Sequence, residues 1–431
     1  MKLKSKVRAA TASILSLAVV LGVSSCSNDY TVAYLYMTTA KTLPHGLING
    51  YQIDYQSGSL LPLDDSPIDA GGRNTVGLVV APNSLYLYTV NHDDSDVVEF
   101  AIGTDGKLYP QNTYTITGSY ATAAAIDAAN KFLFVTFTYQ NGPNNTELYT
   151  TANPGPGGIT VFPINPASAN ASAPSENSLG APVATVNVGR NPIGIVASPF
   201  NVPSGVSGCT AAGGCQEIFV IEQDPATTTS NLLGFLENPA TGALTPLPGV
   251  TVNSGNVPST GFASGPSPGG ILANSTGSRL YVTDQSLDQV ASYSVSSNGI
   301  PSPISGGTAA TDSGPMGMAF DPSGRYLYVV AYSANTIDGY TLGSSGQPVR
   351  STVSPTVATG TGPTCAATIG APTNANPTHA IYLYTSNALS NNITAEQLNA
   401  QNGGLEEVQG APFSGSTLPS CAVTVPAFPL R

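Results

Sequence analysis

Residues 321–342 read DPSGRYLYVVAYSANTIDGYTL, and the pattern in this stretch decides the fold. A turn rich in Pro, Ser and Gly precedes an aromatic-rich run, YLYVVA, and a short polar turn separates that run from a second alternating stretch. Short alternating runs bounded by turn residues are typical of β-strands joined in hairpins. The stretch therefore predicts two neighbouring antiparallel strands.

The same pattern recurs along the chain in residues 77–103, 270–295 and 380–399, with the runs LYLYTV, RLYVTD and IYLYTS. A glycine turn such as TDGKL follows and leads to a further short strand. One four-stranded unit of about 45–50 residues is too small to be stable alone. Stacking the copies radially buries both faces of each sheet, which predicts a β-propeller.

Seven units account for the chain, so we predict an all-β fold, a seven-bladed β-propeller of four-stranded antiparallel blades. The blades are expected to start near residues 30, 73, 120, 190, 266, 315 and 363. The segment Tyr30–Leu63 supplies three outer strands and lacks an inner one. The closing strand, predicted at 418–425, should therefore join the first blade and complete the ring.

The first 26 residues have the features of an export signal. Lys2, Lys4, Lys6 and Arg8 precede an uncharged apolar run at 9–23, and the sequence VSSC ends at Cys26. This ending resembles the bacterial lipobox, which implies lipidation of Cys26. We predict a lipoprotein signal peptide at 1–26 and a single propeller domain at 27–431, held at the membrane by lipid and facing the periplasm or the cell surface. An ordinary signal peptide with a chance cysteine is the alternative.

Composition narrows the range of partners. The net charge is −12, which disfavours nucleic acid and anionic membrane surfaces, although acidity also serves solubility. The acidic loop with Asp93, Asp94 and Asp96 lacks the full spacing of a calcium-binding loop. We therefore expect a monomer with no metal and no cofactor.

The other four cysteines fall into two pairs. Cys209 and Cys215 flank a short TAAGG loop, which predicts a local disulfide. Cys365 and Cys421 occupy equivalent positions in the inner strands of adjacent blades. A disulfide between them would close a loop of about 57 residues and contribute up to roughly 4 kcal/mol. Two buried free thiols are the alternative.

The blade pattern of 321–342 resembles the YVTN and lactonase-type propeller repeats, over essentially all of the mature chain. The resemblance implies a lactone hydrolase similar to 6-phosphogluconolactonase. Family lactonases carry a Pro-His-x-His corner at the start of one inner strand. Here the corresponding corners, such as GSYATAAA, GRNPIGI and GPMGMAF, contain no histidine.

Candidate site residues gather, by prediction, at the propeller mouth, the face formed by the loops entering inner strands and those joining second and third strands. Arg73 and Arg190 lie in Gly-Arg-Asn triplets at inner-strand starts, and His92 and Glu222 lie at second-to-third-strand loops. An arginine pair can clamp a carboxylate or phosphate or steady an oxyanion, and His92 or Glu222 can serve as general base toward a lactone carbonyl. Corner arginines also commonly tie down loops.

Three further candidates, His45, Tyr120 and Tyr139, are weaker. His45 lies in a long loop that could reach the same mouth, and His379 should face the opposite side of the ring. Tyr120 and Tyr139 lie at loop ends where they could bind a sugar, whereas most tyrosines should pack between blades.

Three functions are consistent with these features. The first is a lipid-anchored binding or interaction module of the cell envelope, taking a protein, a polysaccharide or a small ligand at the mouth. The alternative is a lactone hydrolase, and a purely structural surface repeat is a third reading. Convergence of Arg73, Arg190 and His92 on one cavity would favour the enzyme, whereas scattered positions, each tied into its local loop, would favour the binding or structural reading.

Overall fold

The computed structural model describes residues 31–41, 43–140, 156–165, 178–223, 230–252, 259–369 and 381–427. Within these ranges the chain forms β-strands, numbered β1 to β32 in chain order, and no α-helix. Accordingly, the described part of the chain contains no helix that could span a membrane. The predicted signal peptide, Cys26 and His379 lie outside the described residues.

The strands form seven antiparallel sheets, the blades, as predicted. Blade 1 contains β1 (Thr31–Thr39), β2 (Leu47–Asp54), β3 (Leu60–Pro62) and β4 (Ile68–Asp69). Blade 2 contains β5 (Thr75–Val80), β6 (Tyr86–Asn91), β7 (Asp96–Ile102) and β8 (Leu108–Thr115). Blade 3 contains β9 (Gly118–Ile126), β10 (Phe132–Gln140), β11 (Gly158–Pro163) and β12 (Ala184–Asn187). Blade 4 contains β13 (Pro192–Val202), β14 (Cys215–Glu222), β15 (Ser230–Glu237), β16 (Leu244–Pro246) and β17 (Phe262–Gly265). Blade 5 contains β18 (Pro268–Ala273), β19 (Arg279–Asp284), β20 (Gln289–Val295) and β21 (Pro301–Ala310).

Blade 6 contains β22 (Pro315–Phe320), β23 (Tyr326–Ala331), β24 (Thr336–Leu342), β25 (Pro348–Arg350) and β26 (Thr356–Ala358). Blade 7 contains β27 (Pro363–Ile369), β28 (Ile381–Asn387), β29 (Asn392–Leu398), β30 (Leu405–Glu407) and β31 (Phe413–Ser414). The last strand, β32 (Pro419–Pro426), pairs with β1 and becomes the inner strand of blade 1, with Leu35 opposite Thr424. The C-terminal strand therefore closes the ring in the first blade, as the sequence predicts.

The aromatic-rich runs form the second strand of each blade and are buried on both faces. Every residue of β6, β23 and β28 is buried. Tyr88 of blade 2 packs in one apolar cluster with Leu133 and Phe137 of blade 3. Contacts of this kind between blades bury the two faces that a single sheet would expose.

Tyrosine hydroxyls in second strands also donate across blade boundaries. Each reaches the carbonyl of a positive-φ glycine in the turn between the third and fourth strands of the next blade. The pairs are Tyr36–Gly106, Tyr281–Gly346, Tyr328–Gly403 and Tyr384–Gly58, at 2.5, 2.7, 3.0 and 2.8 Å. The pairs explain why this sequence repeats a tyrosine in the second strand and a glycine in the later turn.

A second repeated contact ties the loops at the mouth. In four blades the loop joining the second and third strands has a positive-φ residue whose side chain accepts a backbone N–H from the corner where the next inner strand begins. These contacts, called corner clasps below, are Ser95–Tyr120, Asp288–Gly314, Asn335–Gly362 and Asn391–Leu418, at 2.9, 2.8, 2.8 and 2.8 Å. They link each loop to the adjacent blade.

The predicted disulfide between Cys209 and Cys215 is confirmed in the loop between β13 and β14, with Cα atoms 5.7 Å apart. The other pair differs from the expected bond. Cys365 of β27 and Cys421 of β32 are free thiols whose sulfur atoms lie 3.5 Å apart. Their juxtaposition across adjacent inner strands is present, but at this separation the sulfurs are in contact and unbonded.

Candidate functional site

Arg73 stands just before β5 and is bound to the loop that follows β6. Its backbone N–H and its Nε each donate to Asp94, at 2.7 Å. The hydrogen bond from Arg73 is the main cause that holds the pKa of Asp94 below its ordinary value. One edge of the guanidinium is thus bound to Asp94. This contact agrees with the alternative that a corner arginine ties down a nearby loop.

His92 forms a dyad with the residue that follows it. Its Nδ1 lies 2.7 Å from Oδ1 of Asp93, which also accepts a hydrogen bond from Asn74 at 3.0 Å. Partial burial pushes the pKa of Asp93 upward, but these hydrogen bonds outweigh it and keep the pKa below its usual range. An ionised Asp93 favours the tautomer with the proton on Nδ1. The lone pair of Nε2 is then available, and in the described chain no hydrogen bond is made to Nε2.

Two tyrosines of blade 3 extend this site. The ring of Tyr120 lies 5.0 Å from the imidazole of His92, and the ring of Tyr139 meets Tyr120 edge-on at 5.5 Å. Tyr139 is buried, whereas Tyr120 is 40% exposed. We call His92, Tyr120 and Tyr139 the aromatic cluster, since their rings are in contact in series at the boundary of blades 2 and 3.

His45 lies on the same side of the ring. Its Nδ1 is 2.9 Å from Oδ2 of Asp69, and it contributes to lowering the pKa of Asp94. His45, Arg73 and His92 therefore share the part of the mouth formed by blades 1 and 2.

Arg190 and Glu222 belong to blade 4. Arg190 is half-buried in the corner before β13, and Glu222 ends β14 opposite Pro192. Glu222 is 1% exposed and accepts a hydrogen bond from the amide of Asn231. A methyl group added to Gly189 would overlap its carboxylate, at 0.9 Å from Oε2. The glycine of the second Gly-Arg-Asn triplet thus makes room for Glu222.

The register shows what this buried position does in other blades. Asn91 opposite Thr75, Asp284 opposite Pro268 and Asn387 opposite Pro363 are the counterparts of Glu222. Each hydrogen-bonds its own loop: Asn91 to Asp96, Asp284 to Ser286, and Asn387 to Asn392. Glu222 thus occupies a loop-holding position beneath the mouth surface, which is unfavourable for contact with a substrate.

The structure brings together Arg73 and His92, through Asn74 and the adjacent Asp93 and Asp94, in blade 2. Arg190 and Glu222 form a second group in blade 4, with blade 3 between the two groups. Sequence reasoning missed Asn74 as a partner of Asp93. The repeated Gly-Arg-Asn triplet was the available signal, because its asparagine takes positive φ at both positions, Asn74 and Asn191.

No group of three or more metal-ligating side chains that could hold a metal ion occurs in the described ranges. The carboxylates of the acidic loop are used instead in hydrogen bonds, Asp93 with Asn74, Asp94 with Arg73 and Asp96 with Asn91.

Comparison with known proteins identifies related folds. A family model described as lactonase, 7-bladed β-propeller, matches residues 138–419. The structure of the periplasmic gluconolactonase of Pseudomonas aeruginosa is similar with a TM-score of 0.64 at 17% identity, covering 92% of this chain and 99% of that one. A Bacteroides fragilis protein provisionally described as a 6-phosphogluconolactonase gives a TM-score of 0.62 at 18% identity, covering 93% and 99%. At these identities the solved structures establish a shared fold. Curated proteins give no significant match by sequence.

Proposed function

Since this chain belongs to the lactonase family of seven-bladed β-propellers, we propose that it hydrolyses a lactone at the mouth formed by blades 2 and 3. The observation that carries the proposal is the His92–Asp93 dyad, at 2.7 Å, with Nε2 free of hydrogen bonds from the described residues and the exposed Tyr120 ring beside it. The family match supports the hydrolase reading over the binding module.

The proposed chemistry uses groups of this chain alone. Nε2 of His92 takes a proton from water as the water oxygen attacks the lactone carbonyl. Asp93 stabilises the imidazolium that forms and keeps the ring oriented. The ring C–O bond then breaks, the imidazolium returns its proton to the leaving alkoxide, and the product is the open hydroxy acid.

Arg73 is suited to steady the oxyanion in this scheme. Asp94 binds its Nε and Nη2, and a guanidinium carries five N–H donors. Donors outside the Asp94 contact are available for the carbonyl oxygen as its negative charge develops. The ion pair itself holds the guanidinium in place beside the dyad.

Export and lipid anchoring at Cys26 form part of this proposal on the sequence evidence alone. A protein in that location would meet its lactone outside the cytoplasm. The substrate then comes from the surroundings of the cell envelope.

The test is a proton-release assay of the purified protein against a panel of sugar and aliphatic lactones. We expect His92→Ala to lower kcat/KM by roughly 100- to 10,000-fold, the usual contribution of a general base. Arg325→Ala is the control, because Arg325 lies in the turn between β22 and β23 of blade 6, away from the proposed site in blades 2 and 3. It should retain turnover.

Two outcomes would change the proposal. Absence of turnover on every lactone would favour the binding module. Turnover that survives in His92→Ala but is lost in Arg190→Ala would move the active site to blade 4.

A further inference from the structure

Tyr120 occupies a backbone position that does not suit an aromatic residue. It lies in the corner where the inner strand of blade 3 begins, at the third residue of β9, with φ of +62°. Asn74, Asn191, Gly314 and Gly362 hold the corners of four other blades at positive φ, and Leu418 holds that of blade 1. Asparagine and glycine tolerate this region, whereas bulky residues are disfavoured there. The corner itself therefore does not require tyrosine, and strain of this kind commonly accompanies function.

The Tyr120 ring is fixed, although it is exposed. Its backbone N–H donates to Oγ of Ser95 at 2.9 Å, the imidazole of His92 lies 5.0 Å from its ring centre, and Tyr139 supports it edge-on at 5.5 Å. Two neighbouring rings and a corner clasp thus hold an aromatic surface in place beside the dyad. Such a surface binds a flat, partly apolar ligand at little cost in conformational entropy.

The charges around this ring disfavour an anionic ligand. Four carboxylates lie in this part of blades 1 and 2: Asp69 at the end of β4, Asp93 and Asp94 in the loop after β6, and Asp96 at the start of β7. The cationic side chains of Lys41 and Arg73 stand against them. The guanidinium of Arg73 is already paired with Asp94. A phosphate or carboxylate on the substrate would therefore meet net negative charge, because Asp94 already balances the positive charge of Arg73.

We propose that Tyr120 is a binding platform on which the ring of a neutral, unphosphorylated sugar lactone stacks, with its carbonyl toward His92. The apolar C–H face of such a ring complements the electron-rich face of tyrosine, and its hydroxyls meet the surrounding carboxylates as hydrogen-bond donors. The assignment of a lactone as the ligand rests on the proposed function. Binding of a sugar ring to Tyr120 does not require that the protein catalyses a reaction.

The test separates binding from turnover. D-glucono-1,5-lactam, a neutral ring analogue that resists hydrolysis, is titrated calorimetrically into the full protein, and its 6-phosphate into a parallel sample. Tyr120→Asn removes the ring and keeps a residue that this fold uses at two other corners, Asn74 and Asn191. Leu418→Asn is the matched control, because Leu418 is also an exposed corner residue at positive φ, in blade 1.

We expect Tyr120→Asn to weaken lactam binding by about tenfold or more, the loss of one good stacking contact. Tyr120→Phe and Leu418→Asn should bind as the unaltered protein does, and the 6-phosphate should bind more weakly than the neutral lactam. Equal binding by Tyr120→Asn, preference for the phosphate, or no lactam binding at all would overturn the inference.

Kinetics on glucono-1,5-lactone then distinguishes the two proposals. If lactam binding depends on Tyr120 but no lactone is hydrolysed, Tyr120 is a binding platform and the proposed hydrolase activity is wrong. If turnover depends on His92 but not on Tyr120, the hydrolase proposal is supported and the role of Tyr120 as a binding platform is wrong.

Discussion

Glu237 is a buried carboxyl group without a hydrogen bond to either oxygen in the described chain. It ends β15 in blade 4 and lies near Asp127 and Lys131 of blade 3. Burial is the main cause that raises its pKa to about 8, and the charge of Asp127 adds to the effect. Glu217, also in blade 4 and also buried, has its pKa raised to about 8 for the same first reason.

The raised pKa has a consequence for stability. The ordinary pKa of a glutamate is 4.5, so between pH 4.5 and about 8 the folded protein holds a proton at Glu237 that the unfolded chain releases. The unfolded chain thus binds fewer protons, and stability falls as pH rises through this window. We expect Glu237→Gln to be about as stable as the unaltered protein at pH 5 and about 2–4 kcal/mol more stable at pH 8.

Urea unfolding at pH 5 and pH 8 measures this difference. The exposed Glu406 supplies the control for the substitution itself, as Glu406→Gln replaces the same groups at the surface. An unchanged pH dependence in Glu237→Gln would show that this carboxyl is ionised in the folded protein.

The corner clasps operate at the scale of the element, because each joins the loop of one blade to the inner strand of the next. Asn391 is an informative case. Its φ of +56° is unfavourable for alanine, and its Oδ1 accepts the N–H of Leu418, directly before β32. We expect Asn391→Gly to lose the hydrogen bond alone, about 1 kcal/mol, and Asn391→Ala to lose about 2 kcal/mol because the backbone is also strained.

Chemical denaturation of the two variants measures both effects. Ser84 is a control for backbone conformation, because it has φ of +60° in the turn between β5 and β6 of a single blade. Ser84→Gly should leave stability nearly unchanged. If Asn391→Gly were equally neutral, the clasp would contribute nothing to closing the ring.

These contacts also show where sequence reasoning stops. Strands, blade number and ring closure were predictable because alternation and turn residues are local signals, as in YLYVVA followed by a polar turn. The clasp between Ser95 and Tyr120 was not, since it joins residues 25 positions apart through the packing of two blades. Glu222 was placed at the mouth by its loop, but its burial depends on the space left by Gly189, which no periodicity reveals.

At the scale of the whole molecule, ring closure depends on a strand from each end of the chain. β1 and β32 pair in blade 1, and the inner strand of blade 7, β27, lies beside β32. Cys365 and Cys421 face each other at this junction between blades 7 and 1, with sulfur atoms 3.5 Å apart and a sequence separation of 56. A covalent bond here would tie the C-terminal strand to the rest of the ring.

We expect oxidised glutathione to convert the pair to a disulfide, with two thiol protons and two electrons passing to the oxidant. In the chain-entropy model the bond would stabilise the fold by up to roughly 4 kcal/mol. Urea unfolding of oxidised and reduced samples gives the gain, and mass spectrometry of the linked peptides identifies the bond. The double variant Cys365→Ser/Cys421→Ser is the control, because its remaining redox response comes from the disulfide between Cys209 and Cys215. A response equal to that of the unaltered protein would mean that the two thiols stay reduced, and that closure of the propeller depends on strand pairing and packing alone.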